Sequence, residues 1–440
     1  QSTTVARVTC PALLTDKYEL TMLAAALGDG TADRRTTFEV FARRLPDGRR
    51  YGVVAGTGRL LDELPSFRFG SQELTAVASF CDPATLDYLA DFRFSGDIDG
   101  YAEGDLYFPG SPVLSVTGTF AECVLLETLA LSILNHDSAV ASAAARMTSA
   151  AGGRPLIEMG SRRTHEHAAV AAARAAYIAG FAGTSNLEAH RRYGVPALGT
   201  SAHAFTMLHT TAGADTDAWE RAAFTAQVAA LGVSTTLLVD TYDVHRGVAN
   251  AIAVAGPQLG AVRIDSGDLG VLARQVREQL DSLGATGTAI VVSGDLDEYA
   301  IAALRADPVD TYGVGTSVVT GSGAPTAGMV YKLVEVDGLA VRKRSRGKES
   351  QGGRKAAVRR ARPSGTVVEE IVHAADGAPD IDGPIRVLTV PLIRAGEPVA
   401  DPDLSAARDR LAEGLHSLPW EGLALSHGEP AIPTRQIPPP

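Results

Sequence analysis

Seven short apolar runs in this chain each lead to a residue able to bind or react. Residues 155–160 lead to Arg162 and Arg163, residues 179–184 to Ser185 and Asn186, and residues 195–200 to His203. Residues 236–240 end in Asp240, followed by Tyr242 and Asp243. Residues 261–265 carry Arg263 and Asp265, with Ser266 next, and residues 289–293 precede Asp295. The last run enters Gly313-Val-Gly315-Thr316-Ser317, then Gly321-Ser-Gly323. Glycines of that kind let backbone N–H groups approach phosphate oxygens. The turn is not a P-loop, because GK[ST] is missing, nor a dinucleotide fingerprint, because the third Gly of GxGxxG is missing. Carboxylates such as Asp265 and Asp295 suit ribose hydroxyls or Mg²⁺, although Asp also caps helices. Arg263 at a strand mouth calls for a carboxylate or phosphate partner. A lone His203 is as compatible with a structural role. A carboxylate such as Asp240 could orient its imidazole. His209 lies six residues on, which is not the i, i+4 spacing of a helical metal pair.

Repeating elements must place these residues together. Most of the runs recur at spacings that suit one strand plus one helix, and continuous apolar strands indicate burial on both faces, as in parallel sheets. After Ser266, Leu269, Leu272, Val276 and Leu280 form one apolar stripe, and Gly284 stops it. The middle of the chain, residues 151–332, thus reads as an α/β barrel or doubly wound sheet, with chemistry at the C-terminal strand ends. Residues 1–150 read as an α+β domain. Asp16 and Glu19 have capping-box spacing for a helix from Lys17. Residues 36–41 and 110–118 read as strands, and residues 122–147 as a long buried helix or helix pair. Residues 333–440 form a C-terminal region with a helix near 404–415 and an extended or disordered tail from Pro430.

The 440 residues are 45% hydrophobic, enough for a large core. No apolar stretch reaches the roughly 18–20 residues of a membrane span, and no signal-peptide pattern is visible. Three dispersed cysteines, with no CxxC, argue against disulfides and against a four-cysteine zinc site, and point to a reducing cytoplasm. A net charge of −11 counts against general nucleic-acid binding. Between Arg342 and Arg362, however, ten Lys or Arg meet a single acid, Glu349. That stretch reads either as a solvated loop or as an anion-binding one. The residues alone therefore support a phosphosugar enzyme on an α/β barrel, without choosing its reaction.

Leu14-Thr-Asp-Lys-Tyr18-Glu-Leu-Thr-Met22 resembles the opening of nicotinate phosphoribosyltransferases. So do Phe41-Ala-Arg43-Arg44-Leu-Pro46, Glu158-Met-Gly-Ser-Arg162-Arg163, Gly183-Thr-Ser-Asn186, Gly199-Thr-Ser-Ala-His203, Val239-Asp-Thr-Tyr-Asp243 and Arg263-Ile-Asp-Ser-Gly267. With residues 312–333 the resemblance runs from residue 13 to about 360. It implies the irregular α/β barrel of a type II phosphoribosyltransferase, with an N-terminal α+β domain, a C-terminal extension and a homodimer with shared active sites. It implies nicotinate and phosphoribosyl pyrophosphate as substrates, Mg²⁺, ATP as co-substrate, and His203 as the histidine that ATP phosphorylates. His203, Asp240, Arg263 and Asp265 would be catalytic. Tyr18, Arg162, Thr184, Ser185 and Arg263 would bind the pyridine substrate, with Tyr18 stacked on its ring, and Asp265 would hold the ribose hydroxyls. Gly294, Asp295, Gly315 and Thr316 would cradle the 5′-phosphate. Arg43 or Arg44, Arg344, Lys348 and Lys355 would serve pyrophosphate or ATP.

Ser185 stands where nicotinamide-using relatives carry an Asp, which would repel a carboxylate; Ser therefore favours nicotinate. Met159 stands where those relatives have an aromatic stacking partner. The basic stretch reads Gln351-Gly-Gly-Arg-Lys355 where many members have Pro-Gly. A nicotinamide phosphoribosyltransferase is the nearest alternative, followed by a quinolinate-using relative of the same fold. Outside this class stand a catalytically silent barrel used for assembly and a nucleic-acid binder using residues 342–362.

Overall fold

The protein was analysed as a computed structural model that describes residues 10–343, 351–377 and 380–437. The chain divides into two compact units, Gln1–Ala139 with Thr326–Pro440, and Val140–Pro325. The long helix Glu127–Ala151 gives its first half to one and its second half to the other. Among the described residues no helix is long and apolar enough to cross a membrane.

The first unit is built on a seven-stranded antiparallel sheet. Its inner strand Arg35–Ala42 pairs with Leu114–Thr119 on one side and with Met329–Val336 on the other. The run TTFEVF is rich in β-branched and aromatic residues, which favour a pleated strand. Both of its faces are covered. Phe38 stacks on Tyr331 with ring centroids 4.8 Å apart, while Glu39, on the other face, is fully buried against Lys355 Nζ at 2.7 Å. The C-terminal part of the basic stretch is therefore not a solvated loop. Lys355–Ala361 is a strand of a second, four-stranded sheet. Its cations meet acids: Arg359 pairs with Glu370 and Arg360 with Glu369, both at 2.7 Å. The described part of the tail is extended rather than disordered. Thr434–Gln436 adds a parallel strand to Val367–Ala374, because the prolines flank the segment and leave its N–H groups free to pair.

The opening helix, Lys17–Asp29, starts where the spacing placed it, but no capping box forms. The Asp16 side chain makes no cap bond, and Glu19 turns inward to accept from the backbone N–H and hydroxyl of Thr128. Its other oxygen is buried with no hydrogen-bond partner among the described residues. The residues 122–147 region proves to be a helix pair, Phe120–Val124 and Glu127–Ala151.

The second unit is an α/β layer around six parallel strands. These are β1 (Leu156–Glu158), β2 (Gly183–Thr184), β3 (Thr236–Leu238), β4 (Ala261–Ile264), β5 (Ala289–Val292) and β6 (Thr311–Val314). They lie in the order β2-β1-β6-β5-β4-β3. Because the last strand sits beside the first, this is the cyclic order of a barrel with one open seam. The seventh expected strand, residues 195–200, contributes a single bridge, Thr184 to Ala197. Pro196 has no N–H to extend the ladder, and the chain then leaves the sheet into the helix His203–Leu208. The seam lies between this bridge and β3. Helix Leu269–Ser282 carries the expected stripe, with Asp268 as its cap, and Gly284 follows it at φ +75°.

Burial pushes the Glu19 carboxyl up to about 7, and the charges of Glu127 and Asp16 add to the push, while the two bonds from Thr128 oppose it. The folded state therefore keeps this proton longer than the unfolded chain does. Between pH about 4.5 and 7 the group makes stability fall as pH rises, and it contributes no further slope above that window. Glu19→Gln is expected to flatten this part of the curve in urea unfolding across pH 5–8. An unchanged slope would show that Glu19 does not titrate in this range.

Candidate active site

The C-terminal strand ends of the second unit converge on Arg263. Its side chain is only 12% exposed and sits mid-register on β4, opposite Leu238 and Val291. Nε donates to Ser293 Oγ at 2.8 Å, Nη1 to Thr200 Oγ1 at 2.7 Å and to the Ser201 carbonyl at 3.3 Å, and Nη2 to Asp265 Oδ1 at 2.8 Å. A guanidinium has five N–H donors, so one, on Nη2, is left for a ligand. Thr200 and Ser201 belong to the segment that fails to become a strand, so Arg263 ties the open seam with side-chain bonds where the ladder does not.

Asp265 completes the cluster. Ser293 Oγ also donates to its Oδ1, while Oδ2 faces His203 Nε2 at 3.9 Å. Burial works against the Asp265 charge, but the bonds from Ser293 and Arg263, with the charges of Arg263 and His203, outweigh it and lower the pKa. Asp265 therefore stays ionised at neutral pH. It caps no helix; the neighbouring caps are Asp243, Asp268 and Asp297.

His203, with its side chain 37% exposed, opens the short helix after the seam. Its Nδ1 lies 3.1 Å from Thr241 Oγ1. The carboxylate beside the imidazole is thus Asp265. Asp240, expected in that role, turns the other way: its Oδ2 accepts from the Asp265 backbone N–H at 2.9 Å and from Ser266 Oγ at 2.6 Å. Being bonded to the backbone at residue 265, it fixes the position of Asp265. Its Oδ1 is buried with no hydrogen-bond partner among the described residues.

The phosphate-type turns lie at the ends of β5 and β6. Gly294 holds φ +111°, and a Cβ there would come within 2.5 Å of the Asp265 carbonyl oxygen, so only glycine fits. Asp295 follows in the left-handed region at φ 49° and is exposed. Gly315 precedes the turn Thr316–Val319, whose first N–H groups have no partner within it. Beside them, Ser185 and Arg162 are exposed, and Arg162 forms no ion pair or side-chain hydrogen bond among the described residues. Thr184, expected to touch substrate, instead points inward. It is fully buried, and its hydroxyl bonds to Glu158 and to the Asn186 N–H.

The remaining expected residues lie in the first unit or outside the described residues. Tyr18 is exposed on the opening helix, and its hydroxyl bonds to Glu127; burial, that bond and the nearby acids raise its pKa, so the phenol stays protonated. Arg43 follows the strand Arg35–Ala42, and its Nε is buried with no hydrogen-bond partner among the described residues. Lys355 has its ammonium matched by Glu39 and by the Gln351 and Gly353 carbonyls. Arg344 and Lys348 lie outside the described residues. The sequence reading gave no role to Glu158, Thr200, Thr241 or Ser293. Two of these carried a readable signal, a polar side chain closing an apolar strand run: Glu158 in PLIEMG and Ser293 in AIVVS.

Comparison with known proteins agrees with this geometry. Residues 13–135 match the nicotinate phosphoribosyltransferase N-terminal domain, and residues 155–362 match the nicotinate phosphoribosyltransferase family. Nicotinate phosphoribosyltransferase pncB1 of Mycobacterium tuberculosis is 75% identical over 97% of this chain and 95% of its own length. The Homo sapiens nicotinate phosphoribosyltransferase is 33% identical over 84% of this chain and 81% of its own. The crystal structure of human nicotinic acid phosphoribosyltransferase superposes with a TM-score of 0.82 at 27% identity, covering 96% of this chain and 97% of that one. A nicotinate-nucleotide pyrophosphorylase structure from Pyrococcus furiosus gives 0.76 at 25% identity, covering 95% and 98%. This chain therefore belongs to the nicotinate phosphoribosyltransferase family.

Proposed function

We propose that the protein joins nicotinate to phosphoribosyl pyrophosphate, with ATP hydrolysed alongside, in the first step of NAD salvage from nicotinate. The pyridine nitrogen bonds to ribose C1, the bond from C1 to pyrophosphate breaks, and nicotinate mononucleotide and pyrophosphate leave. The observation that carries this reading is the Arg263–Asp265–Ser293 cluster facing His203 at the sheet's C-terminal edge.

Each group has a task that its geometry suits. The free N–H of Arg263 and its charge meet the nicotinate carboxylate. Asp265 Oδ2 is left to accept from ribose hydroxyls. The backbone N–H groups at Gly294, Asp295, Gly315 and Thr316 receive the 5′-phosphate. Tyr18 stacks on the pyridine ring, and Arg162 and Ser185 receive the ring's polar edge. Arg43, with a cationic group unmatched among the described residues, serves the pyrophosphate. Transfer then depends on position and charge rather than on a covalent enzyme intermediate.

Mg²⁺ fits this set. Among the described residues no three His, Cys, Asp or Glu gather into a metal cage, but the ion usually keeps phosphate and water oxygens and needs only one or two carboxylates. Asp240, with a buried unpartnered Oδ1, is the residue to supply one. When bound, the ion neutralises the leaving pyrophosphate.

His203 is the proposed site of phosphorylation by ATP. Thr241 occupies Nδ1, so Nε2 is the nitrogen that forms the N–P bond as ADP leaves; water later breaks that bond and releases phosphate. A phosphoryl group there would carry roughly two negative charges beside Asp265 and Arg263 and shift the cluster's balance. The dimer with shared sites and the cytoplasmic setting belong to the same reading by family resemblance.

The test follows nicotinate mononucleotide formation from nicotinate, phosphoribosyl pyrophosphate and Mg²⁺, with and without ATP. Wild-type protein is expected to form product and to gain rate with ATP; no product under either condition would remove the assignment. His203→Ala is expected to lose both the label from γ-³²P-ATP and the ATP stimulation, and retention of the label would move phosphorylation elsewhere. Arg263→Ala should lower kcat/KM for nicotinate by about 100-fold or more, since a charged partner and the seam's tie are lost together; normal kinetics would take Arg263 out of the site. Ser185→Asp should shift preference toward nicotinamide, read as the ratio of kcat/KM for the two pyridines.

A further inference from the structure

Glu158 lies at the end of β1, fully buried. Among the described residues no cation pairs with it. Its Oε1 accepts from the Gly160 backbone N–H, and its Oε2 accepts from Thr184 Oγ1. Thr184 Oγ1 in turn accepts from the Asn186 N–H at 2.9 Å, and Asn186 Nδ2 donates to Ser161 Oγ at 3.0 Å. The Ser185 N–H donates to the Glu158 carbonyl at 2.9 Å. These bonds close a ring through two turns, 160–163 after β1 and 184–186 after β2. The first turn carries Arg162 and the second carries Ser185. A third strand end is packed against the ring: a Cβ on Gly160 would lie 2.3 Å from Val319 Cγ1 and 2.8 Å from the Gly315 carbonyl oxygen.

A buried carboxylate without a cation is expensive unless donors meet both of its oxygens. What a carboxylate offers here is acceptance at both oxygens. Gly160 N–H can only donate, and the Thr184 hydroxyl, already accepting from Asn186, has its proton to give. Burial pushes the Glu158 pKa up, and these two donated bonds work against that push. A glutamine could satisfy one partner but not both.

We infer that Glu158 is a positioning residue for pyridine recognition: through Gly160 and Thr184 it sets Arg162 and Ser185 relative to each other, and so sets selectivity for the ring's carboxylate. It touches no substrate itself. The inference rests on the functional reading above.

Glu158→Gln and Thr184→Val, made in the full chain, each leave a buried group unpaired. Each is expected to raise the nicotinate KM roughly ten-fold. The KM for phosphoribosyl pyrophosphate should stay within about two-fold, and preference over nicotinamide should narrow. The double variant should be no worse than the worse single, because both cut one path. A merely structural role would lower the melting temperature and the active fraction, and leave the nicotinate KM unchanged. Folded variants with wild-type nicotinate KM would overturn the inference. If both variants fail to fold, Ser161→Ala cuts only the outer Asn186 bond. It should raise the nicotinate KM by about three-fold, and an unchanged value would be equally decisive against the inference. Wild-type protein that forms no nicotinate mononucleotide removes the functional reading itself, whereas active wild type with insensitive variants removes only the role of Glu158.

Discussion

The site depends on one guanidinium holding a seam that the backbone leaves open. Six parallel strands take the cyclic order of a barrel but do not close between the Ala197 bridge and β3. Arg263 reaches across from β4 to Thr200 and Ser201 and at the same time holds Ser293 and Asp265 on its own side. A charged side chain this poorly exposed needs partners, and the partners it finds are polar groups gathered at the C-terminal strand ends. The gap has a use: the chain that would have been a seventh strand is free to bring His203 beside Asp265.

Around that tie, charges are arranged by neighbours rather than by sequence position. Asp265 is kept ionised by Arg263 and Ser293 despite its burial, and Asp240 secures it through the backbone. Glu158, further along the same edge, has no cation partner among the described residues and is held by two donors. The two carboxylates thus have different surroundings: one lies beside the imidazole, and the other accepts bonds from the turns that carry Arg162 and Ser185.

In the first unit, burial decides which cations are available. Lys355 and Arg359 look like parts of a free basic segment when read along the chain. Both instead meet carboxylates: Lys355 meets Glu39 of the other sheet, and Arg359 meets Glu370, which strand pairing brings opposite it. Arg43, just past the strand Arg35–Ala42, has no such match among the described residues. Glu19 shows the same effect on a carboxylate. Its spacing suits a helix cap, yet helix packing draws it to Thr128 instead.

What the sequence determined by itself is local and periodic. Buried parallel strands require continuous apolar runs, and the residue after each run must lie at one edge of the sheet, so Ser185, His203, Arg263, Asp265 and Gly315 could be placed on a common edge before any contact was known. The stripe from Leu269 to Leu280 fixed its helix for the same reason. Tertiary structure decided whatever depends on partners distant in the chain. Only folding shows that Asp265 rather than Asp240 faces His203, that Thr184 turns inward to Glu158, that residues 195–200 stop at one bridge, and that Lys355 is already paired. Spacing constrains neighbours along one element, whereas a hydrogen bond between residues 63 positions apart, such as Arg263 to Thr200, exists only once the strands have chosen their order.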